Sequence, residues 1–393
     1  MGAAKGTVIA GSSSGSGMTC SERIGEQTIG TDAKHTPIAP IRNGSGYERG
    51  ASGKSSIGGA VMRDEPAIAG PTPNRAGIRR TTSAPASPPR LPSATRVLPI
   101  EPVSVSVRRG GIVEARHRVH AVAVGDRGIL AAAGDARLVT FFRSAAKPLQ
   151  ALPLVRARPE LDDRLIAIAC ASHHANPDQL AAVDGLLAAA PATEDDLECG
   201  AQEGRPPGKR FHNCSGKHAG MLAVCRARGW RTAGYRLPDH PLQRELHAEI
   251  AAAAELRADE VSTATDGCGV VTFALTLARM ARAFARLEEL DGGGRAAGAM
   301  CAYPELVGGD LSLDTRLMRA LPGWTAKGGA EGLLCARAPD GTGVALKAED
   351  GAQRPLGPAL AAFLPLLGHE VDEFATVPLA NSRDEIVGEV VAE

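Results

Sequence analysis

Arg143-Ser144-Ala145-Ala146-Lys147-Pro148 carries a serine and a lysine three residues apart. On a helix this spacing puts both side chains on one face. A desolvated, neutral lysine can there take the serine's proton and turn a weak hydroxyl into a nucleophile. A helix opening at Ser144 would also aim backbone N–H groups and the positive end of its dipole at a developing oxyanion. Pro148 then falls in the first turn, where a missing N–H costs little. S-x-x-K is common by chance, so the case for acyl transfer depends on further groups.

Two cysteine segments supply some of them. His212-Asn213-Cys214-Ser215-Gly216-Lys217-His218 sets a thiol and an amine three residues apart at an expected helix start. It is no phosphate loop, because that pattern needs glycine at Phe211 and a hydroxyl residue at His218. Thr265-Asp266-Gly267-Cys268-Gly269 stands ahead of an expected long helix through Phe273, Leu277, Met280, Phe284 and Leu287. A helix N-terminus lowers a cysteine's pKa, and two thiolates could converge on one soft cation such as zinc. Two buried, inert cysteines would leave the same sequence. The chain has no C-x-x-C pair and no H-E-x-x-H.

Two more segments carry reactive groups. In Cys170-Ala171-Ser172-His173-His174 an apolar, strand-like run (LIAIA) would expose Ser172 at its end. Ala326-Lys327-Gly328-Gly329 places a lysine in an expected glycine-rich turn, with Gly328 where acylases commonly carry a hydroxyl. His173, His174 and His218, taken singly, suit hydrogen-bonded structural roles, and His218 is also a substrate-binding candidate.

These groups need a scaffold. From Val103 the pattern is that of a folded domain, with strands flanking the turn at 125–128 and a third strand (RLVTFF) delivering the chain to Ser144. A helical middle follows, in which Pro241 opens one helix and Leu242, Leu246 and Ile250 share a face. A hairpin around Pro339-Asp340-Gly341, a helix (PALAAFLPLLGH) and a last strand (EIVGEVVA) close it. Short, uncrossed connections put the N- and C-terminal strands in one antiparallel sheet with a helical insert. This is an α+β arrangement like that of serine β-lactamases.

Composition bounds the rest. Residues 1–100 are rich in Gly, Ser and Pro, with Tyr47 their only aromatic, and read as a disordered leader. The folded domain is 101–393. Of the 393 residues, 44% are hydrophobic but 3% aromatic, so the core is built from Ala, Leu and Val. Lys plus Arg and Asp plus Glu both total 44. That balance gives no global pull toward nucleic acid or anionic membrane and suits a small-molecule substrate. Eight scattered cysteines and no apolar signal segment fit reduced thiols in the cytoplasm.

Seven segments in order, RSAAKPLQALP, CASHHANP, HNCSGKHAGML, TDGCG, DLSLDTRLM, AKGGAEG and ALKAEDG, resemble the Rhizobium-type (thermolabile) L-asparaginase family, also called asparaginase II. The match runs from about Val103 to Glu393. The resemblance implies a β-lactamase-like fold, a homodimer, and hydrolysis of L-asparagine to L-aspartate and ammonia through a seryl acyl-enzyme. It implies that Ser144 is the nucleophile, Lys147 its base, and Ser172 with Lys327 a second serine–lysine pair. It makes Cys214, Lys217 and Cys268 zinc ligands, with Arg143 and Asp266 contacting substrate or a zinc-bound water. Val271 and the stretch His174-Ala175-Asn176 depart from the family's usual pattern. Another S-x-x-K amidohydrolase, a glutaminase or a penicillin-recognising enzyme, is the alternative, and Gly328 with the paired thiols argues against the penicillin group.

Overall fold

The computed structural model describes residues 101–393. The disordered leader expected over 1–100 lies outside the described residues.

Strands from the two ends of the domain form one antiparallel sheet, as expected. The first three are β1 (Val103–Arg109), β2 (Ile112–Gly125) and β3 (Gly128–Ala133). The turn at 125–128 joins β2 to β3, and a turn at Gly110–Gly111 separates β1, which sequence reasoning had merged with β2. A second, three-stranded sheet holds β4 (Val139–Phe141), β5 (Ser262–Thr265) and β6 (Val271–Thr276). The remaining strands are β7 (Thr325–Gly329), β8 (Leu333–Arg337), β9 (Gly343–Ala348), β10 (Thr376–Ala380) and β11 (Ile386–Ala392). In the main sheet the order is β10-β11-β1-β2-β9-β8-β7, with β3 also pairing β2. Val105 pairs with Ala392 and Val119 with Ala348, so the first and last strands of the domain are neighbours.

Side chains alternate across a strand, and here both faces are covered. Along β2, Val119, Ala121 and Ala123 join a core under the helix Leu356–Phe363, whereas Val122 and Val124 join the core shared with the central helices. On β8, Leu334 and Ala336 face the first core and Leu333 and Cys335 the second. Burial on both faces explains why these strands read as continuous apolar runs.

Four local expectations are corrected. Residues 165–169 lie in the helix Asp163–Ala169, capped by Asp162, and not in a strand. A short apolar run has no periodicity that separates the two, and this one is buried against other helices. The expected long helix begins only at Leu277, capped by Thr276, because Val271–Thr276 pairs as β6. Cys268 therefore sits in the turn between β5 and β6, so no helix dipole acts on it there. Lys327 lies on β7, the edge strand of the main sheet, and not in a turn.

The helix Ser215–Ala227 crosses Asp163–Ala169 at close range. A Cβ on Gly216 would stand 2.2 Å from the Ile168 carbonyl oxygen, a backbone atom that cannot move aside. Gly216→Ala is expected to destabilise the fold by about 1–3 kcal/mol, as overpacking does. Urea unfolding checks this, and an unchanged midpoint would show that the two helices can separate freely.

Candidate active site

β4 delivers the chain to a single 3-10 turn, Arg143–Ala146, followed by the helix Lys147–Gln150 with Pro148 in its first turn. Ser144 and Lys147 thus bridge a 3-10 turn, and not the α-helix expected. Residues three apart eclipse one another in that geometry, but the hydrogen bonds of Lys147 Nζ run to Ala171, Ser172 and Asn213 and not to Ser144. The entry to the turn is fixed by Phe142 N–H donating to Phe273 O at 2.8 Å and Arg143 N–H to Thr272 Oγ1 at 3.2 Å. Arg143 has φ 48°, a left-handed conformation in a residue with a side chain. Such positions cost about 1–3 kcal/mol and persist where surroundings enforce them. Here the Arg143 guanidinium is held by Asp266 Oδ1 at 2.6 Å, 123 residues along the chain.

Lys147 is fully buried. Its Nζ lies 2.5 Å from Ala171 O, 3.0 Å from Ser172 Oγ and 3.4 Å from Asn213 O. Burial lowers its pKa; Cys214 opposes the shift, and Lys217 and Lys327 add to it. The two carbonyls can only accept, so Nζ donates to both of them, and it also donates to the Ser172 hydroxyl oxygen. The lysine of the S-x-x-K motif is therefore hydrogen-bonded to the second serine.

Lys327, likewise buried, donates to Asp314 Oδ2 at 2.9 Å and to Gly328 O at 2.8 Å. Asp314 also accepts from Gly328 N–H and Thr315 N–H, each at 2.9 Å. Sequence reasoning quoted DLSLDTRLM but assigned Asp314 no role. Its one signal is a carboxylate three residues before Leu317 on a face that proves buried. A Cβ at Gly328 would meet Asp314 Oδ2 at 3.4 Å, an ordinary contact, so a side chain added there would pack directly against the ion pair.

Ser144, Ser172, Lys327 and Asn213 open on one cavity of about 690 Å³. Arg143, Asp266, His218, Cys214, Lys217 and Cys268 do not line it. Cys214, Lys217, His218 and Cys268 are buried beside Asn213, and Arg143 and Asp266 are partly exposed. Lys217 Nζ lies 3.1 Å from Cys268 Sγ. The hydrogen bond from Cys268 holds Cys214 well below the usual thiol range, and the same bond raises Cys268. Burial works against a charge on Lys217, but Cys268, Cys214 and Asp266 outweigh it and keep the amine protonated. Burial pushes His218 down to about 4. Its Nδ1 bonds the Tyr235 hydroxyl at 2.6 Å, while Nε2 has no hydrogen-bond partner of good geometry.

Burial alone would raise the Asp314 carboxyl, but Lys327 and the Gly328 N–H outweigh it and hold it below the usual range. Its contribution to stability is therefore present above the unfolded carboxyl value of about 3.9 and lost as pH falls through the lower folded value. Asp314→Asn strands a buried ammonium and is expected to cost about 3–5 kcal/mol at neutral pH. The gap from wild type should close below about pH 4. Unfolding measured across pH checks this; a gap independent of pH would mean that the pair's charge contributes nothing.

No curated protein matches this chain. Among solved structures, it is similar to a probable glutaminase from Bacillus subtilis, with 12% identity over 64% of this chain and 85% of that one, at a TM-score of 0.31. It is also similar to a β-lactamase from Mycobacterium bovis, with 14% identity over 60% and 88% of the two chains, at a TM-score of 0.27. The model of the L-asparaginase II family matches residues 105–392, almost the whole of the described domain. The chain belongs to the L-asparaginase II family.

Proposed function

We propose that the Ser144 cavity hydrolyses the side-chain carboxamide of L-asparagine by double displacement. The observation that carries this reading is Lys147: a buried lysine with no carboxylate partner among the described residues, its pKa lowered by burial, whose Nζ lies 3.0 Å from the Ser172 hydroxyl at the cavity. Ser144 Oγ attacks the carboxamide carbon and its proton passes to Lys147 Nζ. The C–N bond then breaks. The leaving nitrogen takes the Lys147 proton through the Ser172 hydroxyl and departs as ammonia. Water adds to the resulting ester and yields its proton to Lys147; collapse returns that proton to Ser144 and releases L-aspartate. The oxyanion is held by the Ser144 N–H, which has no backbone acceptor in its turn, and by the Ala330 N–H just past edge strand β7. Gly329 packs there against the Phe142 carbonyl. Lys327, with its charge balanced by Asp314, positions Ser172 and substrate.

The 3.0 Å contact between Lys147 and Ser172 favours one second reading, in which Ser172 is itself the nucleophile. Against it, the Ser172 N–H is already committed to Val307 O and cannot serve as an oxyanion donor.

Cys214, Lys217 and Cys268 are the residues that would hold zinc, as two soft sulfurs and one amine with a fourth position open. The unpartnered, buried His218 Nε2 beside Cys268 supports a guest of positive charge there. Bound zinc would supply positive charge behind the Asn213 wall of the cavity. Lys217 must give up its proton to join, so binding releases a proton and weakens in acid. A homodimer and a cytoplasmic location belong to the same proposal; the seven described cysteines are free thiols, which suits a reducing compartment. Among the described residues no helix is long and apolar enough to cross a membrane.

Ser144→Ala is expected to lower ammonia release from asparagine by at least about a thousandfold with the fold intact. Residual activity within tenfold of wild type overturns the assignment. Acid-quenched wild-type enzyme should carry an aspartyl adduct on the Ser144 peptide, and an adduct on the Ser172 peptide instead selects the second reading. Metal analysis of wild type and Cys268→Ser tests the zinc site: one equivalent is expected in the first and a deficit in the second.

A further inference from the structure

The Ala330 N–H lies at the wall of the Ser144 cavity and donates to no backbone acceptor among the described residues. It shares a peptide unit with the Gly329 carbonyl. β7 ends at Gly329 and β8 begins at Leu333. Between them Glu331 and Gly332 both turn through positive φ, 61° and 63°. The Gly329–Ala330 peptide thus stands where the ladder gives way to a turn, and its plane needs another anchor.

Gln353 supplies one. Its Nε2 donates to Gly329 O at 2.9 Å. A carbonyl can only accept, so this contact also fixes which end of the glutamine amide faces Gly329. In a planar trans peptide the C=O and the N–H point in opposite directions. A donor that anchors the Gly329 oxygen therefore sets where the Ala330 N–H points, on the side away from Gln353. The same bond polarises the peptide and strengthens the N–H as a donor.

The loop that carries Gln353 is itself tied down. Asp350 Oδ1 accepts from Ala352 N–H at 3.0 Å, and Asp350 Oδ2 lies 2.5 Å from Nδ1 of His117 on β2. Arg354 Nε donates to Nε2 of the same histidine at 3.0 Å. Both flanks of Gln353 are thereby fastened to one buried ring. The loop also presses on the turn: a Cβ at Gly332 would stand 2.6 Å from Ala352 O.

We propose that Gln353 is a positioning residue for amide hydrolysis at Ser144, holding the Gly329–Ala330 peptide so that the Ala330 N–H meets the oxyanion. This rests on the asparaginase reading above, in which that N–H is one of two oxyanion donors. In this role Gln353 meets no reacting atom. Its side chain also lines the cavity, so the experiment must separate positioning from contact with substrate.

The test is steady-state ammonia release from L-asparagine by the full chain and by Gln353→Leu and Gln353→Glu, with the Tm of each. Leucine has no donor; glutamate keeps the shape but, ionised, cannot donate. An oxyanion contact is made in the transition state, so its misalignment lowers kcat and spares KM. Losing such a donor outright costs about a hundred- to a thousandfold in kcat, and loosening one costs less. The expected result is a kcat about tenfold or more below wild type in both variants, with KM within about threefold. The boronic acid in which B(OH)₂ replaces the carboxamide of asparagine forms a tetrahedral adduct on a serine. It should bind the variants about tenfold more weakly, while L-aspartate inhibits them as it does wild type. Should Gln353→Leu fail to fold, Gln353→Glu, which differs from wild type by one atom, decides. A kcat within threefold of wild type overturns the inference. So does a tenfold rise in KM at unchanged kcat, which would make Gln353 a substrate contact. Either result leaves the asparaginase reading standing, whereas wild type that releases no ammonia from asparagine overturns both.

Discussion

A lysine buried with no carboxylate beside it is the constraint around which this site is arranged. Burial without a carboxylate partner disfavours the charged form of Lys147 and lowers its pKa, the direction that the proposed role as a base needs. Lys217 and Lys327 act in the same direction, and carbonyls accept hydrogen bonds from its Nζ. Those carbonyls belong to Ala171 and Asn213, at the ends of segments that only tertiary packing brings together. The close crossing at Gly216 holds the Asn213 segment against the helix that leads to Ala171. The surroundings of Lys147 are thus set by the packing of two helices as much as by the motif that contains it.

The site has two chemically distinct layers. In front, two hydroxyls and Lys327, balanced by Asp314, line a cavity, with Lys147 buried against Ser172. Behind lies a hydrogen-bonded thiol pair with a buried amine. Arg143 joins the layers: its backbone makes the strained turn before Ser144, and its side chain reaches Asp266. The Arg143–Asp266 ion pair therefore ties the turn that carries Ser144 to the rear cluster.

Much of this was legible in the sequence. The sheet built from both ends of the domain, the 339–341 hairpin and the helix opening at Pro241 follow from period, turn residues and capping. Ser144, Ser172 and Lys327 do share a cavity. What escaped reflects tertiary context. LIAIA gives no period to tell strand from helix. VTFALT runs without a break into LARMARAFA, and Thr276 marks the boundary only once its side chain is seen to cap Arg279 N–H. β10 is short, carries Pro378 and pairs on one side alone, so it lacks a strand's usual signature. Asp314 was invisible as a partner because nothing local says that a lone carboxylate will meet a lysine on an edge strand. The attachment of Lys147 to Ser172, and not to its own motif's serine, is likewise a fact of packing.

The pairing of Val105 with Ala392 has a consequence for how the domain is made. Of the described strands β1 leaves the ribosome first, yet one of its edges stays open until nearly the whole domain has been synthesised. β2 must likewise wait for β9, beyond the helical insert. Pairings so distant in sequence make for slow folding. For most of translation the nascent chain presents a valine-rich hairpin with unpaired N–H and C=O groups, a template for aggregation. Expression of this enzyme should therefore depend on temperature and on chaperones more than its final stability would suggest.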